Sequence, residues 1–409
     1  MNVNTKCRMC QSNRLSQFLN LGMQPLANAF LKKVDLAKPE PRYPLRVFFC
    51  ESCNLSQLID VVDPKILFGH YIYFSSRMPK VSLHWQSYAE EVVQKFTNHS
   101  KDLVVEIGSN DGVLLSAIQK FDRRVLGVDP AKNIAELANK NGIPTLPEFF
   151  NKAIAKKIAD EYGLAKTVIG NNVVAHIDDH EGLLAGISEL LAPEGVFIFE
   201  APYIADTIES LTFDTVYHEH MSYLSVRPLI SFLDRYGLEI FDVKLFPVQG
   251  NSLRVYANRK GTRPIQPSVA EFLKKEKLLG MDKLSTYLNL SKEIKNLKEK
   301  FLRTLRGLKQ QGKHIAGYGA PAKGNTLLNY FDIGPDLLDY VTEALPSKIG
   351  SYTPGMRIPV VDIEKARKNP PDYYVLLAWN YKDAILEKEK LFLDRGGRFI
   401  MPVGKGEIL

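Results

Sequence analysis

The chain has 409 residues, 45% hydrophobic and 24% charged, with 53 Lys and Arg against 46 Asp and Glu and a net charge of +7. That length predicts roughly two or three domains rather than one core, and the balance is that of a soluble globular protein. No apolar run reaches the ~18 residues of a bilayer crossing, and the start, Met1 to Cys7, lacks the basic-then-apolar order of a secretory signal. The expected location is cytoplasmic, with no membrane partner. Much of the basic excess lies between Lys274 and Lys309, which reads as a solvated helix face rather than a nucleic-acid surface. A modestly basic surface still suits a phosphorylated small substrate.

The first segment, residues 1–75, reads as short strands and turns punctuated by Pro25, Pro39, Pro41, Pro44 and Pro64. All four cysteines fall here, as Cys7-x2-Cys10 and Cys50-x2-Cys53. Paired thiolates on tight turns are what tetrahedral zinc needs, and four protein ligands leave no open position. A structural zinc ion is therefore expected, stapling a segment too small for a strong core. At its end Tyr71 and Tyr73 either close over a bound substrate or belong to an aromatic core cluster.

Residues 76–262 alternate strand and helix. The predicted order is helix from Ser82 to Thr97, strands at Leu103–Ile107 and Arg124–Val128, helix from Asn133 to Asn141, a strand at Thr167–Gly170, helix from Gly182 to Leu191, and a strand at Gly195–Phe199. Arg254–Ala257 closes the unit. This pattern predicts a parallel, doubly wound sheet with its ligand crevice at the carboxyl ends of the strands.

In Glu106-Ile-Gly-Ser-Asn-Asp-Gly112 a glycine turn joins strand to helix, and Gly108 and Gly112 let the backbone approach a ligand. The spacing is not that of the dinucleotide G-x-G-x-x-G motif, and Glu106 and Asp111 crowd a place where a pyrophosphate would want positive potential. A cationic ligand without phosphate, S-adenosylmethionine, fits better. Asn110 lies in the same turn, and Asp129, after the next strand, is placed to accept ribose hydroxyls. Asn171, Asn172 and His176 follow a strand of the same sheet and are expected to face the same crevice.

The segment Tyr217-His-Glu-His220 concentrates groups able to take a proton. Either histidine can serve as a neutral base at cellular pH, with Glu219 orienting a partner. Residues 263–409 begin with a long charged helical pattern over 268–311, then a second β–α series. It opens on Gly317-Tyr-Gly-Ala-Pro-Ala-Lys-Gly324, where Lys323 beside glycine backbone reads equally as a diphosphate cradle or as a Gly-rich turn with an exposed lysine.

These motifs together resemble the sugar C-methyltransferases that build branched-chain deoxysugars of bacterial antibiotics and surface polysaccharides. The resemblance rests on the paired cysteines, Glu-x-Gly-x-x-Asp-Gly, Asn-Asn-Val-x-Ala-His, Tyr-His-Glu-His and Gly-Tyr-Gly-Ala-x-x-Lys-Gly, and it spans the chain. One departure is Leu345, where similar proteins tend to carry Asn before the proline. The resemblance implies an α/β protein with a small zinc-binding N-terminal domain, a central class I S-adenosylmethionine-dependent methyltransferase (Rossmann-like) domain and a C-terminal Rossmann-like domain. It implies methylation at C3 of a 4-keto-6-deoxy sugar carried on dTDP or GDP, with His220 as base and Tyr217 as the alternative, and Glu219 and His176 positioning substrate or steadying an enolate. Gly317, Tyr318, Gly319, Lys323, Asn325, Tyr71 and Tyr73 are the expected substrate contacts. Rival readings are a sugar O- or N-methyltransferase of the same fold, a non-catalytic zinc-ribbon scaffold, and an NAD-dependent enzyme using the later glycine motif.

Overall fold

The computed structural model describes residues 2–68, 79–247 and 250–409. The chain forms two compact units whose segments interleave. Met1–Ser16, Phe49–Ile204 and Met221–Lys283 make the first, and Gln17–Phe48, Ala205–His220 and Leu284–Leu409 the second. Among the described residues no helix is long and apolar enough to cross a membrane.

The first unit is built on a sheet of seven strands: β1 (Leu103–Ile107), β2 (Arg124–Val128), β3 (Thr145–Leu146), β4 (Ala165–Ile169), β5 (Leu191–Pro202), β6 (Leu238–Phe246) and β7 (Ser252–Arg259). Their order is β6-β7-β5-β4-β1-β2-β3. Strands β1 to β5 pair in parallel, while β7 runs antiparallel to both β5 and β6. The sheet is therefore mixed, not wholly parallel as the alternation predicted. All five residues of β1 are buried, as expected of a central strand covered on both faces. Because the chain moves outward from β1 to β3 and then returns to β4, the β1/β4 boundary is the switch point where a crevice opens at the strand ends.

Helix α1 (Pro79–Phe96) covers this sheet with Trp85, Tyr88, Ala89, Val92, Val93 and Phe96, spaced as one helical face. They meet Leu114, Leu115 and Ile118 of α2 (Val113–Gln119) and Val104, Ile169, Val196, Ile198 and Tyr256 from the sheet. Each of the larger aliphatic and aromatic side chains so buried contributes about 1.5–3 kcal/mol. Strand β6 was not expected from sequence. Its register slips between Ile240 and Asp242, which breaks the alternation that marks a strand.

The two cysteine pairs sit on matching turns. Gln11 N–H donates to Cys7 O and Cys7 N–H to Ser12 O; Asn54 N–H donates to Cys50 O and Cys50 N–H to Leu55 O, all at 2.8–3.0 Å. Gln11 and Asn54 both take left-handed backbone, with φ of 60° and 69°. Strand Ser56–Leu58 then pairs antiparallel with Ser222–Tyr223.

The second unit contains a parallel five-stranded sheet of β8 (Ile315–Tyr318), β9 (Val341–Glu343), β10 (Val360–Asp362), β11 (Tyr373–Leu376) and β12 (Arg398–Ile400), in the order β10-β9-β8-β11-β12. Its switch point lies between β8 and β11. The continuous helix predicted over 268–311 is two helices, Pro267–Leu278 and α3 (Leu284–Gln310), separated by a turn with Gly280 at φ 67°. α3 buries Tyr287, Leu290, Ile294, Leu297, Phe301, Leu305 and Leu308, a single stripe. The α/β class, with a Rossmann-like sheet in each unit and a cysteine-rich segment at the start, is the one expected.

Candidate active site and cofactor site

The Sγ atoms of Cys7, Cys10, Cys50 and Cys53 all lie within 4.8 Å of one another, and none is in a disulfide. Cys7 and Cys53 are 3.5 Å apart, as are Cys10 and Cys50. A tetrahedral zinc with Zn–S of ~2.3 Å requires sulfurs ~3.8 Å apart, so the quartet fits that ion. Arg8, inside the first knuckle, is buried. Its Nε donates to Asp178 Oδ1 at 2.7 Å and its Nη1 to Leu58 O and to Met221 O. Burial lowers its pKa, and Asp178 works against that shift.

At the end of β1 the chain turns through Gly108 (φ 65°), Asn110 (φ 50°) and Gly112 (φ 76°). A methyl on Gly108 would stand 2.9 Å from Val173, and one on Gly112 the same distance from Ile143. These glycines are required by packing as well as by backbone conformation. Asp129 accepts Asn110 N–H on Oδ2 and Ala131 N–H on Oδ1, each at 2.9 Å, so it clamps the turn. Each of its oxygens keeps a second lone pair that a ribose hydroxyl can use. Glu106 is 4% exposed, and its Oε2 has no hydrogen-bond partner among the described residues. Burial pushes its pKa well above the carboxylate range, Asn171 opposes this, and Asp129 and Asp111 raise it further. Burial also raises Asp129. Three carboxylates in so little water favour a cation, and the sulfonium and ammonium of S-adenosylmethionine fit that demand.

Asn171 and Asn172 stand at the end of β4. Asn171 Oδ1 accepts Tyr88 O–H at 3.2 Å and Glu200 N–H at 3.1 Å, and Asn172 N–H donates to Glu200 O at 2.7 Å. Behind them is a charged network that the sequence reading did not single out. Glu200 meets His84 Nε2 at 2.9 Å and Arg254 Nε at 2.7 Å, and Arg254 reaches Glu91 at 2.7 Å while lying over the rings of Tyr88 and Phe246. No local spacing marks it, since its members come from α1, β5 and β7. His176 is half-buried on a short turn, its ring 5.9 Å from Phe68. Tyr71 and Tyr73 lie outside the described residues.

Tyr217, His218, Glu219 and His220 belong to the second unit. His218 donates from Nε2 to Pro44 O at 3.2 Å, beside the Tyr43 ring. Glu219 accepts Asn28 Nδ2–H at 2.7 Å. His220 meets Thr215 O through Nδ1 at 2.8 Å. A carbonyl only accepts, so Nδ1 carries the proton and the lone pair lies on Nε2. Burial lowers the His220 pKa to about 4, partly offset by that carbonyl, and the imidazole is neutral at pH 7. The Tyr217 ring packs 4.0 Å from the His220 ring.

The glycine-rich loop after β8 has more structural content than its motif indicated. Tyr318 points into the sheet core against Tyr374 and Phe399, and its hydroxyl donates to Glu389 at 2.7 Å. Asn325 is 2% exposed and donates to Ala27 O at 2.7 Å. A methyl on Gly317 would stand 2.7 Å from Val341, and one on Gly319, at φ 85°, 2.8 Å from Ala378. Lys323, read from sequence as exposed or phosphate-facing, stacks its Nζ 3.4 Å over the centre of the Trp379 ring. It faces Asp214, whose Oδ2 accepts Trp379 Nε1–H at 2.7 Å. Burial pushes Asp214 up and Lys323 down, and each opposes the shift of the other. Lys348, also buried, donates to Ala320 O at 2.8 Å and lies 3.7 Å from Glu343.

Three family matches tile the chain: a zinc binding domain over 7–68, a methyltransferase domain over 83–243, and a C-methyltransferase C-terminal domain over 247–404. C-methyltransferase NovU of Streptomyces niveus is 37% identical over 405 residues, covering 99% of this chain and 96% of that protein. Among solved structures, a SAM-dependent methyltransferase from Anabaena variabilis matches with a TM-score of 0.34 at 15% identity, over 44% of this chain and 95% of its own. The glycopeptide N-methyltransferase MtfA in complex with S-adenosylmethionine matches with a TM-score of 0.34 at 16% identity, over 42% and 93%. From its zinc-binding start to its C-terminal domain, the chain belongs to the S-adenosylmethionine-dependent C-methyltransferases.

Proposed function

We propose that the protein methylates C3 of a nucleoside-diphosphate-linked 4-keto-6-deoxy sugar, in the formation of a branched-chain deoxysugar. The observation that carries this reading is the buried neutral imidazole of His220, whose Nδ1–H on Thr215 O directs the Nε2 lone pair to act as base. A C4 ketone acidifies the hydrogen on C3. His220 Nε2 takes that proton, and the C3–H electron pair passes into the enolate. S-adenosylmethionine, when bound, would supply the electrophilic methyl to which C3 bonds, its sulfur keeping the electrons of the broken C–S bond as a neutral thioether. Glu219, fixed by Asn28, and His176 position the sugar or steady the enolate oxygen. Glu106, Asp111, Asp129, Asn171 and Asn172 would hold the cofactor.

A positioned base contributes about 10²–10⁴-fold. His220→Asn should therefore abolish measurable transfer from S-adenosylmethionine to the ketosugar while cofactor binding by calorimetry stays intact. Carbon NMR of the wild-type product should show a new carbon-linked methyl. An O-methyl resonance, or near wild-type turnover in the variant, would rule the reading out.

A further inference from the structure

We propose that Asp214, Lys323 and Trp379 are positioning residues for His220: they lock the turn whose carbonyl fixes the imidazole tautomer. The proposal rests on the reading of His220 as base. Asp214 is fully buried and accepts the indole N–H of Trp379 at 2.7 Å. Lys323 supplies the compensating charge and is itself held over the same indole. The residue before Asp214, Phe213, stacks on Phe331 at 5.2 Å and meets Tyr330 at 5.6 Å, both on helix α4 (Ala322–Phe331), which also carries Lys323. The adjacent residue, Thr215, donates its hydroxyl to Thr212 O and offers its own carbonyl to His220 Nδ1 at 2.8 Å.

The turn is thus held through Asp214 by a charge and an indole and through Phe213 by packed rings. Lys323, in the first turn of α4 after β8, and Trp379, in the short turn after β11, follow the two strands that flank the switch point of the second sheet. Doubly wound folds commonly place a ligand's anionic group there. In this chain Asp214 brings an anionic group of the protein itself to the lysine and the indole N–H. A buried ion pair is weak evidence of stability and a better candidate for fixing one geometry.

The test uses the full-length zinc-loaded enzyme, S-adenosylmethionine and a dTDP-4-keto-6-deoxy sugar. Asp214→Asn keeps an acceptor for the indole but removes the charge facing Lys323; Trp379→Phe keeps a ring under Lys323 but removes the N–H. Both should lower kcat about tenfold or more, with KM for cofactor and sugar held within about twofold. Exchange of the C3 hydrogen with D2O in the presence of S-adenosylhomocysteine, read by mass spectrometry, should fall by the same factor. Unchanged kcat and exchange in both variants would overturn the proposal. So would a rise in sugar KM alone, which would make Lys323 and Trp379 a diphosphate clamp. If Asp214→Asn does not fold, Trp379→Phe decides the matter. A wild-type enzyme that neither methylates nor exchanges any ketosugar defeats the proposed reaction; an active wild type with unaffected variants defeats only the positioning role.

Discussion

Arg254→Met should be among the most damaging single substitutions in the first unit, although Arg254 touches no proposed ligand. The guanidinium is 1% exposed, lies 2.7 Å from Glu200 and from Glu91, and is sandwiched at 3.5 Å and 3.9 Å between the rings of Tyr88 and Phe246. Glu91 keeps Lys244, Lys95 and Tyr256 as partners, so it tolerates the loss. Glu200, 1% exposed, keeps only His84 as a side-chain partner among the described residues. Removing one member of a buried pair costs about 3–5 kcal/mol, and methionine returns part of the ring contact. A net loss of about 3–4 kcal/mol follows, roughly a factor of 10² to 10³ in the folding equilibrium. Urea unfolding followed by circular dichroism measures it. Arg254→Met combined with Glu200→Gln should be less damaging than Arg254→Met alone, because no carboxylate is then stranded. Since Tyr88 and Glu200 both hold Asn171, S-adenosylmethionine should also bind more weakly to the single variant. A cost below about 1 kcal/mol, or a double variant worse than the single, would refute the assignment of the network's energy to charge pairing.

Two further outcomes are expected. Cys50→Ser should reduce bound zinc, measured by atomic absorption, and lower the melting temperature, since metal binding is folding free energy here; an unchanged melting temperature without zinc would contradict the staple. His180 and His220 are both lowered by burial from 6.5 to about 4. The unfolded chain therefore binds protons between pH 6.5 and 4 that the folded one refuses. Stability is full above that window and is lost as pH falls through it, by about 3 kcal/mol per histidine. His180→Gln should flatten part of this slope in unfolding measured at pH 7 and pH 4.5; an unaltered slope would mean the ring is not buried as a neutral base.

What could be read in advance was what lies close together in sequence. The cysteine knuckles, the Glu106–Gly112 turn and the Tyr217–His220 segment each gather their chemistry within a few residues, and the parallel strands announce themselves as short buried runs. What escaped notice depends on distant partners. Trp379 and Asp214 are 165 positions apart, and Arg254 and Glu91 are 163. The same limit explains Tyr318 and Asn325, which sit in a glycine motif that reads as a ligand loop. Alternation at the last residue of β8 turns Tyr318 inward, and the partner of Asn325 is a carbonyl 298 residues away. Lys323 likewise looked exposed because nothing nearby shows the indole that covers it.

The interleaving of segments has a bearing on how the polypeptide is made and engineered. The backbone passes between the two units five times, so the earlier one lacks its closing strands until residue 259 has left the ribosome and its last helix until residue 278, and the other waits for residues 284–409. Vectorial maturation, one half finishing before the next begins, is denied to this topology. No single cut separates the two units whole, because segments 17–48 and 205–220 of the second always stay with pieces of the first, whereas exchanges made as matched sets of inserts respect the weave.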